Sequence, residues 1–165
     1  MRSVLDRINF GICAIVILCG ILPVYILIGL QPATATSGIA SSQNLNIPSL
    51  QISSPVQQLT LEDNRLNTPD TIVGSYQQSP STTLLIGHSS TVFQNLAQAQ
   101  IGQSLQYGGE TYLISGIATL AKSDISMRQV LKGRSQPTLI LMTCAGEPTG
   151  DQDYSHRLMI TAVKE

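Results

Sequence analysis

The sequence predicts an all-β domain behind one apolar N-terminal segment, and three observations lead there. Residues 8–30 carry no charged side chain. Beyond residue 44 the apolar residues fall in short groups separated by turn residues, and helical periodicity is weak and brief.

The first segment, INFGICAIVILCGILPVYILIGL, would be roughly 34 Å long as a helix, enough for a hydrocarbon core of about 30 Å. A cleavable signal peptide competes, because Ala33-Thr34-Ala35 resembles a small-residue cleavage site. The run is longer than the usual signal core of about 7–15 residues, which favours a retained transmembrane helix. Arg2 and Arg7 precede it and no further Lys or Arg occurs until Arg65. The positive-inside rule then puts residues 1–7 in the cytoplasm and the C-terminal domain outside it, in a single-pass cell-membrane protein.

Residues 31–44, QPATATSGIASSQN, are small, polar and uncharged, and read as a flexible linker. Residues 45–165 then form one extracytoplasmic domain, long enough for its own core. Strands are expected at Leu45–Ile52, Val56–Leu59, Thr71–Val73, Thr82–Ile86, Ser104–Tyr107, Thr111–Leu120, Leu139–Thr143 and Arg157–Val163. Gly108-Gly109 marks a two-residue hairpin turn that needs positive φ. Two short helices are expected, Val92–Ala99 and Ile125–Leu131, the second with Asp124 as N-cap. Many short strands with one or two small helices make a barrel or a sandwich.

The net charge of −1 leaves no basic stripe for phosphates and argues against a nucleic-acid partner. Cys13 and Cys19 fall inside the apolar segment as fillers. Cys144 is thus the only thiol of the outer domain, with no disulfide partner there. Free cysteine also packs as a small hydrophobe. An unpaired thiol in an oxidising compartment nevertheless points to chemistry, and a nucleophile needs a base and a charge stabiliser.

His88, after the strand Thr82–Ile86 and Gly87, supplies a base if its strand end shares a rim with that of Cys144. His156 is the rival, read as a solvated residue leading into the last strand. Arg157 opens that strand and offers a fixed cation for a developing oxyanion. Asp151 and Asp153 read as a solvated loop rather than a calcium site, and Glu110 and Glu147 as surface residues. Ser89, Ser90 and Thr143 are candidates to line a pocket, Thr143 first because it adjoins the thiol.

His88, Cys144 and Arg157, in that order at strand edges, resemble the sortase family of membrane-anchored cysteine transpeptidases. ILMTC at 140–144 is similar to the family's TLxTC motif, GHSS at 87–90 to its Gly-His motif, and Arg157, thirteen residues past the cysteine, to its arginine. LNIPSLQISSPV at 45–56 and VFQNLAQAQIGQSL at 92–105 resemble the family's opening strand and the helix and turn after the histidine. Ile140 departs from the motif's threonine, and nothing assigns a class. The L,D-transpeptidases place a glycine before their cysteine and an arginine two residues after it, where this chain has Thr143 and Gly146.

The resemblance implies a sortase-like closed barrel of about eight strands. It implies Cys144 as nucleophile, His88 as proton donor and acceptor and Arg157 as stabiliser; Thr143, beside the thiol, is read as a substrate-binding residue, and no metal or cofactor is expected. The implied partners are secreted proteins bearing a C-terminal sorting signal and an amine acceptor in the cell envelope or on a protein. The alternative from another class is a membrane-tethered peptide-binding barrel without turnover. Whether residues 121–136 close over substrate or only join two strands is open, with the joining role favoured because Gly133 and Pro137 read as punctuation.

Overall fold

The structure is a computed structural model that describes residues 43–150 and 153–165. The expected transmembrane segment and all but the last two residues of the linker lie outside these residues. Among the described residues no helix is long and apolar enough to cross a membrane.

Among the described residues ten strands follow one another: β1 (Asn44–Ile47), β2 (Ile52–Gln58), β3 (Leu61–Glu62), β4 (Arg65–Leu66), β5 (Val73–Ser79), β6 (Thr82–Ile86), β7 (Ser104–Tyr107), β8 (Glu110–Ala121), β9 (Thr138–Pro148) and β10 (Tyr154–Lys164). Eight of them close a barrel in the order β1-β2-β5-β6-β9-β10-β8-β7, as the all-β reading expected, while β3 and β4 form a separate hairpin. The one α-helix among the described residues, α1, is a single turn at Met127–Val130.

Side chains alternate across the barrel wall, as the pleat requires. On β9, Leu139 and Leu141 enter the interior cluster with Leu85, Phe93, Leu158 and Ile160. Ile140 and Met142 face outward, in a second cluster with Leu84, Ile86 and Val130 of α1. Each such Leu or Ile contributes roughly 1.5–3 kcal/mol by burial. Ile140 is 1 % exposed, so an apolar residue suits that position under the 121–137 segment.

That segment is fastened down. Thr82 Oγ1 donates to the Lys132 carbonyl at 2.9 Å, and the Arg134 guanidinium donates to the carbonyls of Val130 and Lys132 at 3.2 and 3.1 Å.

Most strand pairs are antiparallel, but β6 pairs with β9 in parallel, Ile86 standing opposite Met142. Parallel neighbours leave the sheet at the same end, so the chain after β6 and the end of β9 share one rim.

Several expected boundaries are corrected. The predicted strand Leu45–Ile52 is interrupted by a 3-10 turn at Pro48–Leu50, closed by Gln51 at φ 55°. Proline there lacks the N–H a strand ladder needs. β9 does not stop at Thr143; pairing with β10 carries it to Pro148. Val92–Ala99 makes turns and a short 3-10 stretch at Leu96–Gln98 instead of an α-helix, because Phe93 and Leu96 both enter the core. The second predicted helix shrinks to α1, with Ser126 rather than Asp124 at its N-cap. Gly108 and Gly109 do turn β7 into β8, with φ of 59° and 85°.

Candidate active site

Two registers decide the geometry. Across β9 and β10 Cys144 stands directly opposite Arg157, and Thr143 opposite Leu158. Leu158 belongs to the interior cluster, so alternation turns Cys144 and Arg157 to the outer face. Across β6 and β9 the last pair is Ile86 with Met142. The ladder ends there, and His88 follows two residues past the end of β6, lining one cleft with Cys144. Thiol and guanidinium therefore stand on the adjacent strands β9 and β10, and the imidazole in the turn that follows β6, on the other side of β9.

Two hydrogen bonds extend the β6–β9 contact past its ladder. Gly87 N–H donates to the Met142 carbonyl at 3.4 Å, and Thr143 Oγ1 donates to the Gly87 carbonyl at 2.7 Å. Gly87 is needed here for space. A Cβ on it would lie 2.6 Å from Val92 Cγ1 and 2.9 Å from Phe93 Cδ2. The chain then folds into a tight turn in which the His88 carbonyl accepts from Thr91 N–H at 3.3 Å and Phe93 N–H at 3.0 Å. Outside this turn His88 Nε2 lies 4.0 Å from the exposed Asp70 carboxylate, and Thr91 Oγ1 donates to the Asp70 carbonyl at 2.7 Å.

Arg157 is largely buried, its side chain 17 % exposed. Nη1 donates to the carbonyls of Tyr154 at 3.0 Å and His156 at 2.9 Å, and Nη2 to Asp153 Oδ1 at 2.7 Å. Lys122 Nζ binds the other oxygen of Asp153. Lys122, then Arg157 and the Tyr154 N–H, hold the Asp153 carboxyl well below the usual carboxylate range.

His88, Thr143, Cys144 and Arg157 line one cleft of about 200 Å³, together with Met142 and Thr68. A larger groove of about 530 Å³ opens between the β3–β4 hairpin and α1, walled by Leu61, Leu66, Tyr76 and Met127. It carries no thiol, and His88, Cys144 and Arg157 all line the smaller cleft. Thr143 is 5 % exposed and its hydroxyl is committed to Gly87, which makes it the tie between the cysteine strand and the histidine turn.

The remaining candidates lie elsewhere. His156, opposite Ala145, turns away from the cleft, its Nδ1 2.7 Å from Ser155 Oγ. Ser89 is half-buried and Ser90 exposed, and neither lines the cleft. Glu110 pairs with Lys164 at 2.9 Å, and Glu147 is exposed. Asp151 lies outside the described residues. Asp153 serves a guanidinium, and among the described residues no group of His, Cys, Asp or Glu is arranged to hold a metal ion. Sequence reasoning missed Thr68, Asp70 and Asp153 as neighbours of the site. Only Asp153 had a signal, its spacing of four residues from Arg157.

A thiol flanked by an imidazole and a guanidinium is equipped for acyl transfer: attack on a carbonyl carbon, proton transfer to a leaving group, and stabilisation of an oxyanion.

Residues 45–165 match the family model of the sortase domain. Comparison with curated proteins finds no match. Among solved structures, the fold is similar to sortase C-1 from Actinomyces oris, at 26 % identity and a TM-score of 0.56, covering 74 % of this chain and 71 % of that one. It is also similar to a lid mutant of sortase A from Corynebacterium diphtheriae, at 21 % identity and a TM-score of 0.58, with 76 % and 70 % covered. Sortase A from Listeria monocytogenes is similar at 18 % identity and a TM-score of 0.57, with 75 % and 86 % covered.

Proposed function

The chain belongs to the sortase family, and from that membership we propose that it is a cysteine transpeptidase acting on a C-terminal sorting signal of secreted proteins. The observation that supports the reading is that Cys144, opposite Arg157 across β9 and β10, lines one cleft with Arg157 and His88.

In the first step the Cys144 thiolate attacks a backbone carbonyl of the signal. Arg157 donates to the oxyanion or holds the peptide backbone beside it. The tetrahedral adduct collapses to a thioester as the C–N bond breaks, and His88 gives its proton to the departing amine. In the second step an incoming amine of the cell envelope or of another protein attacks the thioester, neutral His88 takes the amine's proton, and the thiolate is released. Water in place of the amine makes the outcome hydrolysis. The reaction so written needs no cofactor.

Thr143 forms the wall under the scissile bond and keeps the histidine turn against the cysteine strand. Residues 8–30 anchor the enzyme in the cell membrane, with residues 1–7 in the cytoplasm and the barrel outside.

The test uses the full-length chain in detergent with a fluorogenic library of sorting-signal peptides. Wild type cleaves a subset, and Cys144→Ala, His88→Ala and Arg157→Ala each reduce cleavage by at least about a hundredfold. Equal cleavage by wild type and Cys144→Ala across the library would sink the proposal.

A further inference from the structure

The Arg157 guanidinium is held in one orientation by a neighbour that no reading of the catalytic trio includes. We propose that Asp153 is a positioning residue for Arg157, selecting which of its N–H groups face the cleft, and that Lys122 holds Asp153 in place from the far side. The proposal rests on the sortase reading for what Arg157 does, and on the geometry alone for how Arg157 is held.

A guanidinium has five N–H groups in a rigid plane. Both on Nη1 go to the carbonyls of Tyr154 and His156, and one on Nη2 goes to Asp153 Oδ1. That leaves Nε–H and one N–H of Nη2 with no hydrogen-bond partner among the described residues. Guanidinium donors left free in this way suit a peptide carbonyl or its tetrahedral oxyanion.

The carbonyls alone fix only the Nη1 corner. Asp153 supplies the second point that sets the plane.

Asp153 is itself fixed. Its N–H donates to the Gly150 carbonyl at 2.9 Å, and its own carbonyl accepts from Thr149 N–H at 2.9 Å. Oδ1 also accepts from Tyr154 N–H at 2.8 Å, and Oδ2 takes the Lys122 ammonium. The two carboxylate oxygens divide the work, one toward the arginine and one toward the lysine. Lys122 is the first residue of the turn that follows β8, so the same carboxylate ties the start of the 121–137 segment to the arginine. As a partly exposed ion pair this cluster contributes little to overall stability, which separates a positioning role from a structural one. The low-lying Asp153 carboxyl keeps the acid ionised throughout the neutral range.

The experiment uses the full-length chain, uniformly 15N-labelled, in detergent. A guanidinium held at three N–H groups rotates slowly about its C–N bonds and gives separate Nη signals. Asp153→Asn merges the Arg157 signals, Asp153→Glu keeps them apart, and both variants melt within about 2 °C of wild type, as a partly exposed pair allows.

On a peptide cleaved in the library assay, Asp153→Asn lowers kcat about tenfold with KM little changed, and Asp153→Glu recovers at least half of the loss. In an Arg157→Ala background Asp153→Asn costs nothing further. Separate Arg157 signals in Asp153→Asn, unchanged kcat in that variant, or a full additional loss in the Arg157→Ala background would each overturn the proposal. If wild type forms no thioester with any peptide, the transpeptidase reading fails, and the merging or persistence of the Arg157 signals still decides whether Asp153 positions the arginine.

Discussion

Replacing Thr143 with valine deletes one hydroxyl from a side chain that is 5 % exposed and donates to the Gly87 carbonyl at 2.7 Å. Valine keeps the shape, so the change isolates the hydrogen bond. A buried acceptor left without its donor costs about 1–3 kcal/mol. For a domain of this size about 1 kcal/mol moves the melting temperature by roughly 4 °C, so Thr143→Val is expected to melt roughly 4–12 °C lower. The same bond is the last tether between the cysteine strand and the histidine turn. Losing it lets His88 drift from Cys144, and kcat/KM for thioester formation falls about 10- to 100-fold. Differential scanning calorimetry and a stopped assay of the acyl-enzyme read the two effects on one preparation. Thr143→Ser keeps the donor and should restore most of the rate, while losing about 0.8 kcal/mol for the missing methyl group. A Thr143→Val protein that melts within 1 °C of wild type and acylates at the same rate, within error of about 1 °C, would refute the reasoning.

Gly146 has φ 79°, and a Cβ there would lie 2.5 Å from Ser155 Oγ and 2.6 Å from His156 Nδ1, so Gly146→Ala should lose about 2–4 kcal/mol in urea unfolding through strain and overpacking together. Burial pushes the Tyr107 and Tyr112 phenols above their ordinary value. They stay neutral in the fold while an unfolded chain ionises, so stability is full below about pH 10 and falls as pH rises from there through the folded values. Titration of tyrosinate absorbance should show both ionising above the ordinary tyrosine value, and Tyr107→Phe should flatten the alkaline decline. Asp153 works in the opposite sense. Its carboxyl is depressed, so its contribution is present above about pH 3.9 and is lost as pH falls below that toward the folded value. Asp153→Asn should flatten the acid limb of a melting-temperature profile by no more than the about 2 °C that this pair contributes at neutral pH.

The sequence carried the barrel wherever local chemistry and final structure agree. Thr82–Ile86 is an apolar run that becomes β6, and Gly108-Gly109 turns where glycine can. β5 escaped beyond Val73 because GSYQQS looks like a loop. Its Ser75 is 1 % exposed, yet its hydroxyl reaches Gln57 and Gln58 on the neighbouring strand, a partner no local pattern reveals. The β3–β4 hairpin turns on Asp63 and Asn64 at φ 47° and 60°, and its strands are too short for alternation to register. β9 looked finished at Thr143 because its apolar run ends there, but main-chain pairing with β10 is indifferent to that change of side chain.

The same division applies to the site. The order of His88, Cys144 and Arg157 was legible as a motif. What brings His88 to the cleft of the thiol is the parallel pairing of β6 with β9, strands separated by some fifty residues, and no local feature specifies it. Asp153 stayed hidden as one half of an acidic pair because its meaning depends on the rotamer of Arg157.

The central claim is that Cys144 becomes covalently acylated by a peptide. Intact-protein mass spectrometry of the full-length chain, acid-quenched within seconds of mixing with a cleaved peptide, tests it most directly. The account predicts an added mass equal to the N-terminal fragment of that peptide, mapped to Cys144, released by hydroxylamine and absent from Cys144→Ala. Cleavage that proceeds in Cys144→Ala, or an adduct on any other residue, would contradict it.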